Sequence, residues 1–127
     1  MRKIPVIFMI DVEPDGHFID RSKPLAWTGY EKAVEFMNAS RARIREATGS
    51  PAKFSWAFRM DPQIQETYGR MDWAVSHYSA QFRSLVAEND ALGIHVHSYR
   101  WDESKKSWVS DFGDASWIRQ CTENAVR

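Results

Sequence analysis

Two histidines stand two residues apart in Gly93-Ile94-His95-Val96-His97-Ser98, and two carboxylates repeat that spacing in Ile10-Asp11-Val12-Glu13. Neutral imidazole is the commonest protein ligand for zinc-type metals. One carboxylate and two imidazoles form a three-donor set that leaves positions open for water and substrate. The other carboxylate can then take a proton from the attacking water. The same donors serve iron and manganese, and the residues alone choose neither the metal nor which acid does what. The alternative use is a hydrogen-bonded histidine pair at a strand end.

These donors need elements to bring them together. Residues 6–10 form a continuous apolar run ended by Asp11, the habit of a strand buried on both faces of a parallel sheet. Pro14, Gly16 and Pro24 make residues 13–27 a loop. Thr28 and Glu31 have the spacing of a capping box, and Tyr30, Ala33, Val34, Met37, Ile44 and Ala47 follow at helical spacing up to Gly49. Residues 54–58 read as a second strand, ending in Arg59-Met60-Asp61-Pro62. A loop through Gly69 leads to a helix starting near Asp72, with Ala74, Val75, Tyr78, Phe82, Leu85 and Val86 on its inner face and His77 toward solvent. In the third strand Leu92, Ile94 and Val96 share one face, and Gly93, His95 and His97 the other. A loop from Ser98 to Gly113 precedes a last helix capped by Asp114, with Trp117, Ile118, Cys121 and Ala125 inward.

Strand and helix thus alternate three times. The fold class is α/β, a parallel sheet built from three βα units with right-handed crossovers. Ligands in such folds bind at the carboxyl ends of the strands. Those ends carry Asp11/Glu13, Arg59/Asp61 and His95/His97, so all six ionisable residues fall on one rim. Arg59 can orient a carboxylate or a developing oxyanion, or pair with Asp61 or Asp11.

The chain has 127 residues, 17 basic and 17 acidic, and 43% apolar residues, which fits a single globular domain over residues 1–127. With no basic excess, nucleic acid and membrane surfaces are not expected partners. The single Cys121 excludes an internal disulfide and any multi-cysteine metal site; on an apolar helix face it is expected buried and inert. No apolar run approaches the roughly 18 residues of a membrane span. Met1-Arg2-Lys3 precedes an apolar run too short for a signal core, so the expected location is cytoplasmic.

Phe8-Met9-Ile10-Asp11-Val12-Glu13 resembles the first motif of the polysaccharide deacetylases, and Asn89 to His97 resembles their second, histidine-bearing motif. Phe58-Arg59-Met60-Asp61-Pro62 and His95-Val96-His97-Ser98-Tyr99-Arg100-Trp101-Asp102 are similar to runs in the bacterial surface-polysaccharide branch. The resemblance covers residue 7 to about residue 121. It implies a distorted (β/α) barrel that removes acetyl groups from N-acetylated sugars with a divalent metal, usually zinc. By position Asp11 matches the catalytic base, and Glu13 and His95 match metal ligands. The family's second histidine lies four residues after the first, where this chain has Tyr99, so His97 takes its place as the third ligand. Asp15 and His17 are further candidate ligands. Arg59, Asp61, Tyr99 and Trp101 are the expected substrate-binding residues, and the expected partner is a carbohydrate. Three βα units match only the first half of such a barrel. The resemblance therefore places the general acid beyond Arg127 and implies either self-association or a missing C-terminal half. Two other readings use the same residues: a non-catalytic carbohydrate-binding or assembly module with a degenerate metal site, and a hydrolase of a cyclic or ureide amide.

Overall fold

The computed structural model describes residues 6–16 and 20–127; His17 lies outside the described residues. The elements run β1 (Met9–Val12), α1 (Thr28–Thr48), β2 (Ser55–Arg59), α2 (Pro62–Tyr68), α3 (Trp73–His77), α4 (Ser79–Ala87), β3 (Ala91–His95), β4 (Tyr99–Asp102), β5 (Ser107–Ser110) and α5 (Ala115–Ala125). β1, β2 and β3 pair in parallel in that order, and β4 and β5 form a separate antiparallel hairpin. The α/β class and the parallel sheet from successive βα units are therefore as the sequence implies. The barrel is not: among the described residues the three strands form an open sheet with β1 and β3 as its edges. No described helix is long and apolar enough to cross a membrane.

One face of the sheet carries the core. Val12, Trp56 and Phe58 pack there with Trp27 and Tyr30 near the start of α1, and with Ile64, Ala74, Tyr78 and Leu85 of the following segment. Side chains alternate along a strand, so Asp11, Arg59 and His95 take the opposite face. That face is open at Met9, Ala91 and Gly93.

The first strand departs from expectation. It starts at Met9 and includes Asp11, because its register is set by β2, where Met9 faces Ser55 and Val12 faces Phe58. As an edge strand it leaves Met9 73% exposed, and Ile7 before it is 80% exposed, instead of burying them. The capping box is also absent. Asp15 reaches across the loop and accepts from the Thr28 and Gly29 amides at 2.9 and 2.7 Å, while Glu31 accepts the Tyr78 hydroxyl at 2.9 Å. The Gly29 hydrogen bond holds the Asp15 carboxyl below its ordinary range, against a smaller opposing effect of burial. Gly49 ends α1 in the left-handed region (φ 71°) as expected.

Two segments read as loops are structured. Asp61 caps α2 by accepting from the Ile64 amide at 3.1 Å, Pro62 supplies the first turn, and Gly69 (φ 83°) closes it. Residues 99–110 form the β4–β5 hairpin, in which Trp101 lies directly opposite Trp108 with ring centroids 5.4 Å apart. The helix expected from Asp72 is broken at Tyr78 into α3 and α4, and Val86 on its expected inner face is 53% exposed. α5 starts as expected, with Asp114 accepting from the Ser116 and Trp117 amides, and Cys121 is buried.

Asp90, just before β3, ties α1 to the sheet. Its buried carboxylate accepts from Arg41, from the Phe54 amide at 3.1 Å and from Trp56 Nε1 at 2.8 Å. Burial alone would raise its pKa, but the bonds from Arg41, Trp56 and Phe54 outweigh it and hold the carboxyl below the ordinary range. A depressed folded pKa gives stability that is full above the unfolded value of about 4 and is lost as pH falls toward the folded value. Asp90→Asn should therefore cost about 2–4 kcal/mol at neutral pH, because Arg41 loses its counter-charge. In urea melts the gap from wild type should narrow below about pH 4; a pH-independent gap would show that the charge of Asp90 contributes nothing.

Candidate metal centre

The parallel register brings the three strand ends into one layer. Arg59 faces His95 across β2 and β3, and the Met60 amide donates to the His95 carbonyl at 2.9 Å. Just beyond Val12, Glu13 leaves β1 beside Arg59. His97 follows β3 in an extension whose amide donates to Asp61 Oδ2 at 3.3 Å. That extension is held from behind: the Ser98 carbonyl accepts from the Asp111 amide at 3.2 Å and from Trp117 Nε1 at 3.2 Å.

Glu13, His95 and His97 each offer one ligand atom, and these atoms lie within 4.8 Å of one another. The Nε2 atoms of the two histidines face each other at 2.6 Å, a hydrogen-bond distance in which the tautomer decides which ring donates. Behind each ring stands a carboxylate. Asp11 Oδ1 lies 3.2 Å from His95 Nδ1, and Asp61 Oδ2 lies 3.8 Å from His97 Nδ1. Only the Asp11 contact is within hydrogen-bond reach; a carboxylate so placed fixes the tautomer and orientation of its histidine and makes the outward nitrogen a better ligand. By donor chemistry and proximity the three residues could hold a divalent ion.

Beneath the donors lies a buried polar layer. Arg59, Asp61 and Gln63 are fully buried. The Arg59 guanidinium donates to Asp61 Oδ2 at 2.6 Å, to Glu13 Oε2 at 3.3 Å and to Gln63 Oε1. Each arm of the fork thus has its own acceptor, and a buried charge requires this. Burial pushes the thiol of Cys121 up, and the Asp61 charge adds to the effect, which makes it a poor nucleophile.

The structure thus gathers Asp11, Glu13, Arg59, Asp61, His95 and His97 on one rim. Asp11 is half exposed; Arg59 and Asp61 have no solvent-facing surface. Tyr99 packs edge-on against His97 at 5.5 Å between ring centroids, and with Trp101, Trp108 and Trp117 it lines a groove of about 240 Å³. Asp15 sits at the start of α1 instead of with the donors. Gln63, unmarked by any motif, joins the site because the Asp61-Pro62 start of α2 turns it back toward Arg59.

Comparison with known proteins finds no matching family model, no matching curated protein and no matching solved structure. The expected assignment to the polysaccharide deacetylases is corrected on that finding, as its barrel is corrected by the open sheet. The cluster itself is a Glu/His/His set capable of coordinating a metal ion.

The contact with His95 gives Asp11 a task in holding a ligand. Asp11→Asn should weaken zinc affinity by roughly 10- to 100-fold in equilibrium dialysis, as loss of an orienting carboxylate does elsewhere. Unchanged affinity would mean that Asp11 does not orient His95.

Proposed function

We propose that this rim is the metal centre of a hydrolase that removes an acetyl group from an N-acetylated sugar. The observation that carries the reading is the adjacency of a three-donor metal set to an aromatic groove, with Tyr99 packing against the donor His97 and lining the groove. Aromatic faces suit the apolar faces of sugar rings, and the groove also carries Arg21, Glu66, Arg100 and Glu103 as partners for hydroxyl groups. Glu13, His95 and His97 would hold the ion. A divalent ion bound there supplies Lewis acidity toward the amide carbonyl.

This chain's own residues do the rest. Asp11, half exposed beside His95, accepts a proton at its carboxylate from the attacking water. Arg59 fixes the Glu13 carboxylate from below, and Asp61 holds the His97 backbone amide. Both act through the ligands, being themselves fully buried. Tyr99 and Trp101 would form the wall against which the sugar lies.

Acetate release from N-acetylated oligosaccharides should require added zinc and should fall by about 10² to 10⁴-fold in Asp11→Asn assayed at saturating metal. Sugar binding without acetate release at any metal concentration would replace this reading with that of a carbohydrate-binding module. Turnover of cyclic amides alone would keep the metal centre and overturn the substrate.

A further inference from the structure

A second concavity lies apart from the metal cluster and shares none of its donors. This groove of about 480 Å³ is formed where the loop before α1 meets α2 and α3. Its walls are aromatic: Trp27, Tyr68, Trp73, His77 and Tyr78. His77 stacks on Trp73 at 4.3 Å with planes 12° apart, and Tyr68 tilts against Trp73 at 4.7 Å. Tyr78 stands perpendicular to Trp73 at 6.0 Å. The rings therefore surround the space at several inclinations instead of forming one stack.

The polar groups of the groove are unevenly committed. The Tyr68 hydroxyl accepts from the Leu25 amide at 3.1 Å and donates to the Leu25 carbonyl at 3.0 Å, which locks the lip of the groove. The Tyr78 hydroxyl donates to Glu31 Oε1 at 2.9 Å and fixes that carboxylate in the wall. Among the described residues no lysine or arginine lines the groove, and Glu31 is its one acidic residue. The positive end of α1 would oppose a cation here, but Asp15 already occupies the Thr28 and Gly29 amides. What the groove offers a guest is π-surface plus one anchored carboxylate, the combination that recognises organic cations. Trp27 and Tyr78 are buried among the rings, whereas His77, one helical turn beyond Trp73 in α3, lies flat on it and stays exposed at the rim.

We infer that this groove is a binding site for an organic ammonium ion, held among the aromatic rings that line it and by the carboxylate of Glu31. The site works without the metal centre and can be tested in the metal-free protein. Choline is the probe, and 3,3-dimethyl-1-butanol is its uncharged counterpart of the same shape. In ¹H–¹⁵N spectra at constant ionic strength and about pH 8, choline should shift the Trp73 indole resonance saturably, with a Kd of about 1 mM or tighter. The neutral alcohol should bind at least about tenfold more weakly. Glu31→Gln, which can still accept the Tyr78 hydroxyl, should weaken choline about tenfold while its melting temperature stays near wild type. No saturable shift up to about 50 mM choline would overturn the inference. Equal binding of the alcohol would also overturn it, since the groove would then be merely apolar. That comparison is made on the wild-type chain and holds even if Glu31→Gln folds poorly.

Discussion

A guanidinium with no solvent-facing surface sits at the centre of this molecule, and the rim is arranged to satisfy it. Arg59 ends the middle strand and points into a layer where water does not reach. An unpaired charge there would cost several kcal/mol, more than a small domain can readily lose. Its partners are therefore obligatory, and they come from two parts of the fold: Glu13 after β1, and Asp61 and Gln63 at the cap and first turn of α2. Asp61 carries most of the coupling. The same carboxylate caps α2, binds Arg59 and accepts the amide of His97. Two of the three metal donors, Glu13 and His97, are thus positioned by one buried ion network. The third, His95, is positioned by β-sheet pairing and by Asp11.

Parallel pairing made the site legible in the sequence. Asp-x-Glu, Arg-x-Asp and His-x-His each end an apolar run, and a parallel sheet brings such ends to one edge. What lay hidden depended on distant partners. Thr28 and Glu31 have a capping-box spacing, but Asp15, thirteen residues before Thr28, offers both oxygens to the same helix end, and Glu31 is drawn to Tyr78. The apolar run over residues 6–10 signals a strand but not its register, which β2 decides. The cues for α2, Asp61-Pro62 and Gly69, stand in the sequence, yet a seven-residue helix between a strand and a longer helix looks like a loop. The hairpin at residues 99–110 rests on the Trp101–Trp108 pairing, which composition alone cannot distinguish from a loop rich in aromatics. Gln63 carried no signal at all, because its role exists only once α2 has formed.

The two faces of the sheet divide the labour. The helix-covered face supplies the aromatic core, in which Tyr30 meets Trp56, Phe58 and Tyr78 edge-on. The open face carries Asp11 and His95 and leaves Met9 and Gly93 uncovered. The barrel inferred from motif likeness required the open face to become an interior, and the described strands do not close around it.

The central claim is that Glu13, His95 and His97 act together as ligands of one ion. Cobalt(II) is the direct probe, because its visible spectrum reports coordination as well as binding. Titration of the metal-free protein should produce absorption bands of a low-coordinate site that saturate at about one equivalent. Those bands should be lost in Glu13→Ala and in His97→Ala alike. A spectrum that stays that of hexaaqua cobalt, or bands that survive both substitutions, would contradict the account.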